Sequence, residues 1–405
     1  MERAARLITV ALLVILFTTV SFVAGFVAHA YVATANVSLP IGDRAGNNGL
    51  RPENFDIFWE AWEILKREFY GELPEGQEVT YAAIRGVLAA LGDPNTILVE
   101  PVERELEQDQ FRGEFGGIGA FVTMNEQGQL VIVSPIDDTP AARAGLQADD
   151  IILEVDGQPL TGKDLNEAVS LIRGPVGTQV TLTILRPGED EPFTVTLTRE
   201  RIPTPTVEYR LIEGTDIGYM RLSFFSERTP QEVDQAIEAL EEEGATQLIL
   251  DLRNNPGGLL DSAIEVASDF LEPGTVVAYQ QFKDGSRETH TALRGDRVVE
   301  WPMAVLVNDG SASASEIVAG AIQAHGRGVL IGRQTFGKGT VQIPYELSDG
   351  SSLHVTVAHW LTPDENDLSE EGLVPDIWVD LEEEDQIFVD DAQLRRAIEY
   401  LQTGE

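Results

Sequence analysis

The chain has 405 residues, 43% of them hydrophobic, enough for two or three packed domains. Its net charge of −40 argues against nucleic acid, whose phosphates reward Lys and Arg, and suits a protein that must not adhere to anionic lipid or polymer. The absence of cysteine excludes disulfides and a Cys nucleophile, and five histidines leave a Ser-His pair poorly supported.

Leu7 to Ala28 is an uncharged run of 22 residues, preceded by Arg3 and Arg6. About twenty apolar residues span a bilayer, and positive flanks stay on the cytoplasmic side. Segment 1–30 therefore reads as a membrane anchor, with the rest of the chain extracytoplasmic. The alternative is a signal segment cleaved near Ala28-His29-Ala30. Either reading carries the remainder out of the cytoplasm. Residues 31–52 are polar, with Gly, Pro and Asn, and read as a linker.

Residues 53–112 read as a helical region. Phe55, Phe58, Trp59, Trp62, Leu65 and Phe69 recur at spacings of three and four, an apolar stripe suited to core or to a homodimer contact. Leu91-Gly92-Asp93-Pro94 breaks that pattern.

The character changes over 113–200. Gly116-Gly117-Ile118-Gly119 leads into the strand-like Ala120-Phe121-Val122, and Leu130–Val133 is a second strand. Pro140-Ala141-Ala142-Arg143-Ala144-Gly145-Leu146 suits a short helix. A strand from Ile151 ends at the Asp156-Gly157 turn, and Leu165–Ile172 suits a second helix. Thr178–Leu185 and Phe193–Thr198 alternate like strands. The order G-G-I-G, then P-A-A-x-A-G-L, then D-x-I-L-x-V-D-G resembles a PDZ domain over the whole segment. Such a loop offers backbone N–H groups as a nest for a terminal carboxylate, while the peptide adds as a strand at the sheet edge. Gly116, Gly117 and Gly119 let the backbone approach closely, with Ile118 among them.

Residues 201–385 follow an α/β pattern, and 386–405 read as a C-terminal helical tail. Leu248–Leu252, Val276–Ala278 and Ala304–Val307 are apolar runs of buried strands. Leu259–Leu271 and Ser315–Ala324 suit helices between and after them.

The chemistry gathers late in the chain. N-D-G-S-A-S-A-S-E-I starts at Asn308, where a strand hands over to a helix. A serine there sits at the positive end of a helix dipole, beside N–H groups free to stabilise an oxyanion. Serines also cap helices, and local physics does not separate Ser311, Ser313 and Ser315. The turn D-L-R-N-N-P-G-G at 251–258 follows another strand, and its glycines offer a second donor. Lys338 stands in T-F-G-K-G-T-V-Q with no acid within several residues, a setting that favours a neutral amine. Strand alternation places Lys338, Thr340 and Gln342 on one face, where Gln342 accepts a hydrogen bond from the amine without adding charge. His325, His354 and His359 lack metal-ligand spacing, so no metal and no cofactor is expected.

These three motifs resemble the signature of the carboxyl-terminal processing peptidases, also called tail-specific proteases. The likeness covers about residues 53–380, including L-G-D-P at 91–94, I-R-G-P-V-G-T at 172–178 and G-L-V-P-D at 372–376. It implies a multi-domain α/β fold, a ClpP/crotonase-like serine protease core with the PDZ domain inserted before it. It implies a Ser-Lys pair 25 residues apart, here Ser313 and Lys338, joined by Gln342. It also implies an oxyanion hole from the Ala314 N–H and from Gly257 or Gly258. Arg173, in I-R-G-P, becomes a candidate for coupling the PDZ segment to the core. Substrates are then proteins or peptides with free, apolar C-termini. One departure is Trp360-Leu361-Thr362-Pro363-Asp364, where many members have P-x-G. The competing reading is a peptide-binding scaffold with a degenerate core.

Overall fold

A computed structural model describes residues 55–74, 76–125, 127–293, 299–380 and 391–404. The apolar run Leu7–Ala28 lies outside these residues. Among the described residues no helix is long and apolar enough to cross a membrane.

The chain divides into one unit ending at Glu78 and another from Val79 to Glu405. The first carries the helix Asp56–Glu68, none of whose residues is buried. Its stripe is solvent-facing: Phe55, Trp59, Leu65 and Phe69 are all exposed, and Phe55 stacks on Phe58 at 5.3 Å.

In the second unit, the helix Pro101–Arg112 ends at Gly113, whose φ of 68° is the left-handed cap that glycine accepts cheaply. The chain then enters a sheet ordered 120–124, 130–135, 151–155, 179–185, 193–198, with Ala120–Met124 at one edge. Ile132, Ile152, Val180, Leu182 and Ile184 form its core, under the helix Leu165–Ile172. Asp164 and Glu167 close that helix's N-terminus reciprocally. Glu114–Gly117 and Glu200–Pro203 pair as a separate ribbon at the entry and exit of this sheet.

The following region is built on a six-stranded sheet ordered 207–211, 217–222, 247–251, 303–307, 329–332, 377–378. The first pair is antiparallel and the others are parallel. Strand Met303–Val307 is buried along its whole length because both faces are covered. Leu248, Leu250, Val305 and Val307 face the helices Thr229–Glu242, Leu260–Ser268 and Ala314–Ala324. Ile249, Ala304 and Leu306 face the other way, against Ala397 of the helix Ala392–Thr403. That last helix is thus part of the fold, although it reads as a tail in the sequence. A second, antiparallel sheet carries Ile97–Val99, Ser352–Leu361, Val276–Phe282 and Arg287–Thr291, with Thr340–Glu346 paired to Ser352–Leu361.

Candidate active site

Strands Gln247–Asp251 and Met303–Val307 are parallel neighbours, so the turns leaving their C-terminal ends lie side by side. Sites gather at that end of parallel strands because the connections diverge there. The two turns are tied together. The Asn254 N–H donates to Asn308 Oδ1 and the Asn308 amide donates to Asn254 Oδ1, both at 2.9 Å. The Ala312 N–H donates to the Asn255 carbonyl at 3.0 Å.

The three serines now separate. Ser311 and Ser315 are both fully buried. Ser311 Oγ donates to the Leu252 carbonyl at 2.8 Å, and Ser315 Oγ to the Asn255 carbonyl at 2.9 Å. Both hydroxyls are spent holding the adjacent turn. Ser313 is half-buried and opens into a cleft of about 690 Å³ shared with Ala314, Gly258, Lys338 and Gln342. Its φ of 54° is left-handed, a conformation that costs a non-glycine residue about 1–3 kcal/mol. Strain of this kind places the hydroxyl at the head of the helix Ala314–Ala324, where backbone N–H groups are unpaired by the helix itself.

The glycine pair also separates. Gly257 lets the turns touch: a Cβ there would meet Ser313 Cβ and Ala314 N at 2.9 Å. Its N–H is already given to Asn255 Oδ1 at 2.9 Å. Gly258 is the glycine of the pair that lines the cleft.

Glu316 holds the assembly, and sequence reasoning passed over it. Its carboxylate is fully buried. It accepts the Ser313 N–H at 2.8 Å, the Thr335 hydroxyl at 2.5 Å, the Gly337 N–H at 2.8 Å and the Lys338 N–H at 3.0 Å. One side chain thereby fixes the backbone of both the serine turn and the lysine loop. Burial pushes its pKa above the ordinary carboxyl value, against the pull of those hydrogen bonds. The acid-free setting of Lys338 therefore holds along the chain but not in space, where this carboxylate meets the lysine's own N–H. The signal was present as S-x-x-E, a serine followed three residues later by glutamate at a helix start.

Gln342 lies beyond a register shift between Val341 and Gln342, so simple alternation does not place it. Its amide Nε2 donates to Thr340 Oγ1 at 2.7 Å and to Thr356 Oγ1 at 3.2 Å. Apolar side chains, including Phe111, Phe224, Leu259, Ile317, Val341 and Trp360, complete the cleft walls.

Comparison with known proteins bears on this geometry. The family model described as peptidase family S41 matches residues 216–379, and a PDZ domain model matches 131–186. A carboxy-terminal-processing protease of Bartonella bacilliformis is 40% identical over 88% of this chain and 82% of its own length. The chain belongs to peptidase family S41. It is a carboxyl-terminal processing serine protease with a PDZ domain. A carboxyl-terminal-processing protease of Synechocystis is 42% identical over 78% of this chain and 75% of its own. A solved photosystem II D1 C-terminal processing protease aligns at 31% identity with a TM-score of 0.46, over 82% of this chain and 94% of that one.

In this S41 peptidase the turn after Gln247–Asp251 is anchored by a buried ionic cluster. Arg253 reaches Asp251 at 2.6 Å and Asp391 at 2.7 Å, and donates to Gln393 Oε1 at 3.1 Å. The Tyr219 hydroxyl donates to Asp251 at 2.8 Å. Burial, and then the Asp251 charge, raise the Tyr219 pKa, so that hydroxyl stays a donor. A buried ion pair is weak evidence of net stability, but it specifies register strongly. Here it ties the turn beside Ser313 to the N-cap of the C-terminal helix, since Asp391 also accepts the Leu394 N–H.

The PDZ residues fall into two groups. Gly116 and Gly117 belong to the ribbon paired with 200–203 rather than to an open loop. A Cβ at Gly116 would strike the Gly174 carbonyl at 2.1 Å, so this glycine serves a backbone contact. Ile118 is buried, and its carbonyl accepts the Ala141 N–H at 2.8 Å. Gly119, at φ 75°, turns the chain into the edge strand. Arg173 ends the helix Leu165–Ile172 and lays its guanidinium 4.0 Å from the Phe115 ring centre. Burial lowers the Arg173 pKa, opposed by the Asp109 charge on Pro101–Arg112, the helix whose Phe111 lines the cleft.

Proposed function

We propose that this peptidase cleaves extracytoplasmic proteins near their C-termini with Ser313 as nucleophile and Lys338 as general base. The observation that carries the reading is the sorting of the serines: two are buried and spent on carbonyls, and Ser313 alone of the three opens on the cleft with Lys338. Ser313 Oγ attacks the scissile carbonyl carbon while the neutral Lys338 amine takes its proton. The N–H groups of Ala314 and Gly258 receive the developing oxyanion, Gly257 being already engaged. The tetrahedral species collapses, the C–N bond breaks, and the lysine returns its proton to the leaving amine. Water then attacks the acyl-enzyme, giving its proton to Lys338; the acyl C–Oγ bond breaks, the lysine returns that proton to Ser313 Oγ, and the N-terminal product leaves as its acid. Gln342 orients the amine through its carbonyl oxygen.

Substrate selection belongs to the PDZ domain. The edge strand Ala120–Met124 accepts an extended peptide, and the turn at Ile118 and Gly119 receives its terminal carboxylate. Arg173, between that domain and the helix Pro101–Arg112, couples occupancy to the cleft. Because the carboxylate is held by backbone donors, amidating a substrate's C-terminus is expected to lower kcat/KM for an upstream bond by roughly tenfold or more. Deleting residues 113–200 erases the difference between free and amidated tails. Equal cleavage of the two by the intact enzyme would contradict the tethering but not the chemistry.

Leu7–Ala28 is read as an anchor that places the peptidase on the extracytoplasmic face of the membrane, and the exposed stripe of Asp56–Glu68 as a homodimer contact. Membrane association resistant to carbonate, and a dimer mass in detergent lost with Trp59→Glu, are expected. Release by carbonate, or an unchanged mass, would remove the anchor or the dimer respectively.

A further inference from the structure

A second recess adjoins the cleft at the oxyanion turn, and nothing in the chemistry above uses it. It encloses about 500 Å³ and shares Glu227, Leu259 and Leu260 with the cleft. Leu259 and Leu260 directly follow Gly258, so the recess begins beside the place read as the seat of the scissile carbonyl. Asp261, Ser262 and Glu265 also line it, and no Lys or Arg does.

Glu227, Asp261 and Glu265 are all exposed, and among the described residues no ion pair or side-chain hydrogen bond engages any of their carboxylates. Asp261 and Glu265 stand four apart on the helix Leu260–Ser268, which has no basic residue to offset them. Like charges at that spacing destabilise a helix. The helices Thr229–Glu242 and Leu260–Ser268 both start at the recess, and each N-terminus brings about half a positive charge. Three full negative charges exceed those two halves, so the recess stays negative by about two charges. Ser262 is a second and independent sign of a ligand. It is 3% exposed, and its hydroxyl has no hydrogen-bond partner among the described residues. A buried hydroxyl is ordinarily paired. This one belongs to the lining of the recess, three residues before Glu265, and has lone pairs for a donor that enters there.

A positively charged group with several N–H donors and no acceptor meets the needs of all these atoms. We propose that the recess is a specificity subsite for the side chain of a substrate Lys or Arg near the scissile bond. The proposal rests on the reading of Ser313 as nucleophile and of the Gly258 N–H as oxyanion donor. The methylene stem of such a side chain suits the half-buried Leu259 and Leu260, while its head reaches the carboxylates. The PDZ domain selects a chain by its end, and the recess selects the bond within that chain.

The test is steady-state kinetics on the full chain with acetylated peptides that end in a free apolar C-terminus. A single lysine is placed in turn at each position near the cleaved bond, and norleucine serves as its uncharged counterpart of similar length. The readout is the ratio of kcat/KM for the two peptides. That ratio is expected to reach about fivefold or more at one position, to stay near one elsewhere, and to fall as salt is added. Glu265→Gln and Ser262→Ala are each expected to lower it. Glu265→Lys is expected to turn the preference at that position from lysine to glutamate. A ratio of one at every position would overturn the proposal. So would an equal gain at every position, as the net charge of −40 alone would give, or a gain untouched by Glu265→Lys. Should Glu265→Lys fail to fold, Glu265→Gln and Ser262→Ala decide, and an unchanged ratio in both overturns the subsite. Those outcomes leave the nucleophile assignment standing, whereas cleavage that survives in Ser313→Ala would remove that assignment and the subsite with it.

Discussion

Ser313→Ala and Lys338→Ala are each expected to abolish peptide cleavage, by about 10³-fold or more in kcat, with unfolding midpoints close to the parent. The double variant should be no worse than either single one, because nucleophile and base act as a unit. Lys338→Arg belongs in the same inactive class, since a guanidinium keeps its proton at any working pH. The contrast is with the flanking serines. Ser311→Ala and Ser315→Ala each remove one of two donors from a buried carbonyl, since Leu252 also accepts the Asn255 N–H and Asn255 the Ala312 N–H. The loss of one hydrogen bond costs about 0.5–1.5 kcal/mol of stability, read by denaturant unfolding, while cleavage persists. Loss of cleavage in Ser311→Ala with cleavage retained in Ser313→Ala would reverse the assignment.

Glu316 is the second position of large effect. Glu316→Ala orphans up to four donors, on Ser313, Thr335, Gly337 and Lys338, at about 1–3 kcal/mol for each one left buried and unpaired. Glu316→Gln is the more informative variant. An amide has one accepting oxygen, and its NH₂ end would face groups that themselves donate. One half of the serine–lysine clamp must open. We expect kcat to fall on the order of 10²-fold, the scale of a misplacement of about 1 Å, with the chain still folded. The pH dependence adds a check. A carboxyl whose folded pKa lies above its unfolded value destabilises the fold once ionised, so this group's contribution falls as pH rises between those two values. Acidification through that window therefore raises stability while it removes an acceptor from the clamp. Activity and stability are expected to move in opposite directions there, and Glu316→Gln should lose this component. A Glu316→Gln enzyme with parental kcat would show that the clamp is dispensable.

Much of the architecture could be read from the residues. The runs at 248–250 and 304–307 are apolar on both faces because helices cover both sides of the sheet, and such burial leaves a continuous signature. The serine and lysine motifs were legible as a pair, through family likeness rather than through local physics. What stayed hidden depends on contacts distant in sequence. Ser311 and Ser315 differ from Ser313 by carbonyls 59 and 60 residues away. Arg253 meets Asp391 across 138 residues, which is why the last helix reads as a tail and folds as a wall. Gly257 and Gly258 are alike until Asn255 takes the N–H of one of them. Gly116 and Gly117 look like open loop in a glycine-rich string, yet their partners at 200–203 make them strand. Glu316 is a different case. Its signal was local, a capping pattern beside a serine already under scrutiny, and its meaning lay in the lysine loop it also reaches.

On this mechanism Ser313 carries the acyl group between cleavage and release. Acid-quenching the full-length enzyme during turnover of a peptide, followed by proteolytic mapping by mass spectrometry, tests it directly. A mass increment equal to the N-terminal product fragment less water is expected, confined to the peptide containing Ser313 and absent from Ser313→Ala. An increment mapped to Ser311, Ser315 or any other side chain, or one that persists in Ser313→Ala, would contradict it.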